Sequence, residues 1–231
     1  MTYRWIRLGA TCLLLSALIT LTACGTGRSH DGAGGATPPS LTAKTVQTYV
    51  YECPDNDQFT VRTEDGAAWL FLASGTVRLS RMVSASGAKF SDGARSYWSK
   101  GDEAVFVLNG RTYHGCRNDR AKAIWEDAKF RGVEFRALGN EPGWLVEIHG
   151  AERLVFSHNY GQERYEFSNL RPLTDRASSI TRYELHTGVH RLTITLEGGP
   201  CIDSMSGEAF PTRVQLMFDG RPFSGCGKAL H

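Results

Sequence analysis

The chain has 231 residues, 41% of them hydrophobic, with 26 basic and 24 acidic residues and a formal charge of +2. Such a balance, with no basic stripe or cluster, argues against nucleic acid as a partner. The length allows one large domain or two small ones.

The chain opens on a leader. Met1 to Arg7 carries two arginines and no acid, and Leu8 to Leu21 is an apolar run broken only by small or hydroxyl residues. This run is short for a membrane span and fits an exported signal peptide. It ends in Leu21-Thr22-Ala23-Cys24, which resembles a bacterial lipobox. That resemblance implies a signal peptide over 1–23, lipid on Cys24 (palmitate among its acyl chains), and a protein anchored to the membrane rather than spanning it. Gly25 follows the cysteine, where an Asp would favour inner-membrane retention, so the expected address is the outer membrane facing the periplasm. Residues 24–45 hold one large apolar residue, Leu41, amid Gly, Thr and Pro, and read as a flexible tether. Removing Arg4 and Arg7 leaves basic and acidic residues equal in number, so charge adds nothing to the lipid as a membrane determinant.

Six cysteines are present. Cys12 leaves with the leader and Cys24 is committed to lipid. Cys53, Cys116, Cys201 and Cys226 remain, an even number in an exported chain, and read as two disulfides. Three pairings are available, of which 53–116 with 201–226 is the simplest. Zinc is the competing use of four cysteines, but no C-x-x-C or nearby histidine spacing supports it. No metal and no cofactor is expected.

From Val46 onward, alternation with a period of two predicts strands at Gln58–Thr63, Ala68–Leu72, Thr76–Leu79, Arg95–Ser99 and Ala104–Leu108. Asn109-Gly110 before Arg111-Thr112-Tyr113 is a type I′ hairpin signal. Val83 to Gly93 reads as a surface loop. Short antiparallel strands at this spacing predict a small barrel over 46–117. The period then changes: Asn118 or Asp119 can cap a helix whose inward face would be Ala121, Ile124, Trp125 and Ala128, ended by Gly132. This helix, within 118–131, is the expected linker to a second domain over 132–231. Strands resume there at Val133–Leu138, Trp144–His149, Arg153–Ser157, Arg164–Phe167, Ser179–Leu185, Arg191–Leu196 and Thr212–Phe218, and Asp219-Gly220 makes a further hairpin turn. Leu108 to Cys116 and Phe218 to Cys226 share a pattern of strand, two-residue turn, Arg, aromatic and Gly-Cys. The expected fold is therefore all-β: two small antiparallel β-barrel-like domains joined by one short helix, after a lipoprotein signal peptide and a flexible tether.

Ser84-Ala-Ser-Gly-Ala-Lys-Phe-Ser-Asp-Gly93, followed by Trp98-Ser-Lys-Gly-Asp-Glu-Ala104, resembles the signature of the membrane-bound inhibitors of c-type lysozyme. The resemblance covers about Val46 to Arg117, and a cysteine at each end, Cys53 and Cys116, fits that family too. It implies c-type lysozyme as the partner and inhibition by insertion, not an enzyme. In that family a loop serine and a strand lysine enter the lysozyme cleft. The matching positions are Ser86 and Lys100, with Ser84, Gly87, Lys89, Phe90, Asp92 and Gly101 around them and Asp102 and Glu103 as further rim charges. Phe90 stands where the family has a tyrosine, which removes a phenolic hydroxyl. The competing reading is a structural or ligand-binding outer-membrane lipoprotein that reuses the inhibitor-like domain.

In the second domain Gly139 to Trp144, Cys201 to Pro211 and Gly225-Cys-Gly227 stand out, and together they resemble an uncharacterised domain of bacterial envelope lipoproteins. Asp203, Ser204 and Ser206 with His149, His158, His186 or His190 contain the residue types of a catalytic triad, but no nucleophile-elbow motif accompanies them. Trp144, Tyr160 and Tyr165 are candidates either for a ligand site or for core.

Overall fold

The computed structural model describes residues 46–231. The leader, Cys24 and the tether lie outside the described residues. Eight strands come first: β1 (Gln47–Glu52), β2 (Gln58–Glu64), β3 (Ala67–Leu72), β4 (Gly75–Met82), β5 (Ala88–Ser91), β6 (Ser96–Lys100), β7 (Glu103–Leu108) and β8 (Arg111–Asn118). They pair in chain order as antiparallel neighbours, and β8 returns to β1 to close a barrel. Alternate residues point inward and fill it with rings: Tyr51, Phe59, Phe90, Tyr97 and Phe106 are buried together, with Val61, Leu70 and Leu79. Asn109 (φ 51°) and Gly110 (φ 78°) both adopt the left-handed backbone that a type I′ turn requires. Cys53 and Cys116 are disulfide-bonded beside the closing seam.

The stretch read as one loop from Val83 to Gly93 contains β5. Four residues suffice for this strand because Phe90 faces the core and stacks on Tyr97, ring centroids 5.7 Å apart.

Helix α1 (Arg120–Phe130) follows, capped by Asp119, whose carboxylate accepts from the Lys122 N–H at 3.0 Å. Asn118 instead accepts from the Val50 N–H. The inward face is Ala123, Trp125 and Ala128. Ala121 and Ile124 are exposed, contrary to the single apolar stripe expected. The reason is that α1 touches two bodies. One side meets the barrel, through Thr48 donating to Asp127 (3.0 Å), a Lys122–Glu52 ion pair and Phe130 against Phe71. The other packs Trp125 and Ala128 on Val133, Phe210 and Leu230.

Nine strands complete the chain: β9 (Phe135–Asn140), β10 (Gly143–His149), β11 (Arg153–His158), β12 (Glu163–Ser168), β13 (Leu173–Asp175), β14 (Ile180–Thr187), β15 (His190–Ile202), β16 (Ala209–Phe218) and β17 (Arg221–Ala229). They form one antiparallel sheet in the order β12-β11-β10-β9-β17-β16-β15-β14-β13. The sheet curls until β12 packs against β14 but does not close, leaving β12 and β13 as edges, so the second barrel-like body is a half-barrel. Its concave side holds Val146, Leu154, Phe156, Phe167, Leu192, Ile194 and Phe218. Asp219 (φ 48°) and Gly220 (φ 79°) form the second type I′ turn, and Cys201 bonds to Cys226.

Candidate functional site

Loop 83–87 and the end of β6 meet at one corner of the barrel. Three contacts fix the loop. The Ser84 hydroxyl donates to the Gly87 carbonyl at 3.2 Å, closing the turn. Gly87 has φ 68° and lies so close to β6 that an added Cβ would sit 2.1 Å from the Ser99 carbonyl oxygen; only glycine allows the approach. The Trp98 indole N–H donates to the Ser86 carbonyl at 2.9 Å. The backbone of Ser86 is thereby held while its side chain stays exposed.

Lys100 is two residues beyond Trp98, on the same face of β6. It is exposed, and among the described residues it has no ion-pair partner. Its neighbours are engaged. Asp102 takes a bidentate pair from Arg120 (3.0 and 2.8 Å), which holds its carboxyl below the usual range. Glu103 pairs with Arg117 at 3.1 Å. Asp92 accepts from the backbone N–H groups of Arg95 and Ala94 and from the Arg95 guanidinium; the Arg95 N–H leads in lowering its carboxyl. Lys89 is exposed on β5, opposite Trp98. Gly101 (φ 61°) turns the chain from β6 into β7. A depression of about 200 Å³ lies between Trp98, Lys100, Val105 and Gly115.

Of the residues that the sequence placed at this site, Ser84, Ser86, Gly87, Lys89, Lys100 and Gly101 come together at the corner. Asp92 lies at the β5–β6 turn, where it shapes its own loop. Phe90 is 2% exposed and belongs to the core. Trp98 belongs to the same motif, which by itself assigns it no role. Its 42% exposure with a fixed indole N–H makes it the clamp of the loop and the wall of the depression. An aromatic residue two positions before the strand lysine was the available signal.

The three stretches that stood out in the second half also meet. The Asn140 amide donates to Asp203 at 2.7 Å, the Trp144 indole N–H donates to the Ser224 carbonyl at 3.2 Å, and the disulfide joins Cys201 to Cys226. Gly139 and Gly225 lie against the Trp144 indole with no room for a Cβ. Asp203 also accepts from the Ser206 hydroxyl (2.8 Å) and from the Met205 and Ser206 N–H groups, as the centre of a turn. The histidines that approach acids do so elsewhere: His190 with Asp219 (2.6 Å) and His158 with Glu163 (3.3 Å). The triad residue types are thus spread over separate clusters. Trp144 is buried, Tyr165 packs on the core and Tyr160 is exposed.

No curated protein and no solved structure matches the chain. A family model does match part of it, under a third of the length, running from Tyr51 at the end of β1 into β8. Residues 51–114, and with them the barrel that carries the Ser86–Lys100 corner, are similar to the family described as membrane-bound lysozyme-inhibitor of c-type lysozyme.

Proposed function

We propose that the barrel inhibits c-type lysozyme by presenting Ser86 and Lys100 to the catalytic cleft. The observation that carries this reading is the family match over the segment in which an unpaired lysine and a clamped serine loop share one corner. The target's cleft holds two carboxylates, one with a raised pKa and one ionised. A lysine ammonium is a compact cation suited to both, and a serine hydroxyl donates to one carboxylate while accepting from a neighbour. Holding the loop before contact lowers the ordering cost of binding. In this reading Ser84, Gly87 and Gly101 set the backbone, Lys89 forms the rim, Phe90 supports the corner from the core, and Asp92 contributes only by shaping the β5–β6 turn at the other end of the hairpin. Occlusion involves no bond making or breaking, so the chain acts as a binder and not as an enzyme.

The reading extends to the leader. Lipid on Cys24 would anchor the chain to the outer membrane facing the periplasm, with the tether ending at 45, the barrel over 46–117, the helical link over 118–131 and the second domain over 132–231.

The test is inhibition of peptidoglycan cleavage by a c-type lysozyme. Lys100→Ala is expected to weaken it at least tenfold, since truncating one partner of a desolvated charge contact costs about 2–5 kcal/mol. The melting temperature should not change, because Lys100 is exposed and has no ion-pair partner among the described residues. Undiminished inhibition by this variant removes Lys100 from the site. A wild-type protein that does not inhibit removes the whole reading.

A further inference from the structure

The outer face of the nine-stranded sheet carries a feature that the lysozyme reading does not use. Strand register places Arg182, Thr195, Gln215 and Ser224 in one row across β14, β15, β16 and β17. The next row is Glu184, Thr193, Met217 and Pro222. Together, apart from Glu184, they line a cleft of about 490 Å³, closed at the β17 end by Glu141 from the turn between β9 and β10. This volume lies within the range of small-ligand sites, roughly 300–1,000 Å³. A second cleft of about 250 Å³ shares Gln215 and Ser224 and continues towards Asn140 and Ser204. The three joined motif stretches frame this continuation.

The side chains of Thr193, Thr195, Gln215 and Ser224 make no hydrogen bond among the described residues, so their donors and acceptors face the cleft unpaired. Arg182 stands at one end, its Nε towards Glu184 at 3.4 Å, and Glu141 stands unpaired at the other. One guanidinium and one carboxylate disfavour a strongly charged ligand of either sign. Met217 and Pro222 give the floor an apolar strip. The backbone groups of the floor are consumed in the β14–β15–β16–β17 ladders. An extended peptide, which binds by adding to a free strand edge, therefore has no main-chain partners here. What remains is an array of hydroxyl, amide and guanidinium groups beside an apolar strip, spanning three strand spacings of ~4.8 Å, about 14 Å.

We propose that this cleft binds a short, uncharged oligosaccharide, whose hydroxyls engage Thr195, Gln215, Ser224 and Arg182 while a ring face rests on Met217 and Pro222. The site is independent of the lysozyme reading.

Isothermal titration of the full-length protein with three probes tests it: the β-linked tetramer of N-acetylglucosamine, the β-linked tetramer of glucose, and tetra-alanine. At least one saccharide should bind and tetra-alanine should not. Gln215→Ala and Ser224→Ala should each weaken saccharide binding about fivefold, the effect of one net hydrogen bond. Both positions are exposed, so the melting temperature and lysozyme inhibition should stay as in the wild type. Failure of both saccharides to bind at millimolar concentration, preference for tetra-alanine, or saccharide binding that survives both substitutions would each overturn the proposal.

Discussion

The barrel and the sheet end on the same device and use it differently. Each finishes in a type I′ hairpin whose last strand carries a disulfide half. In the barrel that strand is also the closing strand, and its ladder to β1 holds two residue pairs, Tyr51 with Asn118 and Glu52 with Arg117. The Cys53–Cys116 bond therefore reinforces a weak seam and completes a body without edges. In the sheet, β17 lies in the middle of the order, already paired to β16 and β9. There the Cys201–Cys226 bond ties the far end of β15 to β17 across β16 rather than closing anything. In the proposed reading the closed barrel works through a corner where a loop meets a strand, whereas the open sheet offers a broad face.

The largest expected effect separates these two uses. Replacing both Cys53 and Cys116 by alanine should cost about 4 kcal/mol on the loop-entropy relation, for a sequence separation of 63. Replacing Cys201 and Cys226, separated by 25, should cost about 3.5 kcal/mol. The stability costs are close but the functional costs should not be. The first pair should abolish lysozyme inhibition, because the corner depends on a closed barrel. The second should leave inhibition intact below its melting point. Denaturant titration with parallel inhibition assays decides the matter, and equal loss of inhibition in both variants would show that barrel and sheet unfold as one.

The contrast also explains what could be read from the sequence. Hairpin turns, most strands and the presence of two disulfides were legible because each depends on a short pattern: Asn-Gly or Asp-Gly, alternation, or an even cysteine count, while the pairing, the simplest of three, needed the structure. β5 was not, because Ser, Ala and Gly surround its four residues and a single inward Phe90 carries no period. The extension of β15 to Ile202 was hidden by Gly198-Gly199-Pro200, which reads as a turn but forms a register shift between Gly198 and Cys201. Half of the helix face was misplaced, Ala121 and Ile124 being exposed while Trp125 and Ala128 are buried, because α1 is shared between two bodies. At the corner, Ser86 and Lys100 are what the family resemblance implies, but the Trp98 clamp is a contact across 12 positions that no local pattern states. The cleft on the sheet was invisible, since it exists only in the register of strands far apart in the chain.

Acid and base should act on the two bodies in opposite order. The helix-facing side of the sheet holds three groups with depressed pKa. His149 is lowered from its ordinary 6.5 by burial and then by Arg153. Burial pushes Glu147 up, but the Arg131 hydrogen bonds (2.8 and 2.7 Å) and charge, with Arg136, bring it below the usual range. Asp203 is likewise raised by burial and lowered further by Ser206 and Asn140. A depressed histidine binds its proton later in the fold than in the unfolded chain, so stability falls as pH drops below about 6.5. The two carboxylates contribute fully above about pH 5, past their unfolded values of 4.5 and 3.8, and that contribution is lost as pH falls through their folded values. The barrel's lowered acids, Asp92 and the half-buried Asp102, lie at the surface, where screening leaves their pairs little weight.

In base the order reverses. Burial raises Tyr97 to about 12 and Tyr51 further still, their hydroxyls 2.9 Å apart in the barrel core. Tyr183 of the sheet is raised by burial to a smaller extent. A raised tyrosine favours the fold below pH 10, and that stability is lost as pH climbs through the folded value, about 3 kcal/mol for the rise of Tyr97 to about 12. Indole proton resonances report both bodies: Trp69 and Trp98 for the barrel, Trp125 and Trp144 for the helix and sheet. The second pair should lose native dispersion first on acidification and the first pair first in base. Simultaneous loss at both extremes would mean the bodies do not melt separately.

The smallest effect is confined to the corner itself. Gly87 and Gly101 both have positive φ, 68° and 61°, so alanine at either position adds backbone strain of about 1–2 kcal/mol. They differ in what a Cβ would meet: at Gly101 nothing lies within 4 Å, while at Gly87 the Ser99 carbonyl oxygen is 2.1 Å away. Gly101→Ala can stay in place. Gly87→Ala must lift the loop from β6, which breaks the Trp98–Ser86 hydrogen bond and moves Ser86 relative to Lys100. Both variants should remain folded, since neither glycine lies in the core, and Gly87→Ala should lower the melting temperature more, by the equivalent of about 1 kcal/mol further for the lost hydrogen bond. Inhibition should separate them: Gly87→Ala weakened about tenfold, Gly101→Ala by no more than a few-fold. Trp98→Phe should reproduce part of the Gly87→Ala loss, because it removes the same hydrogen bond without the clash. If Gly87→Ala inhibits as well as Gly101→Ala, loop placement on β6 is not what presents the serine. The corner would then act through Lys100 alone.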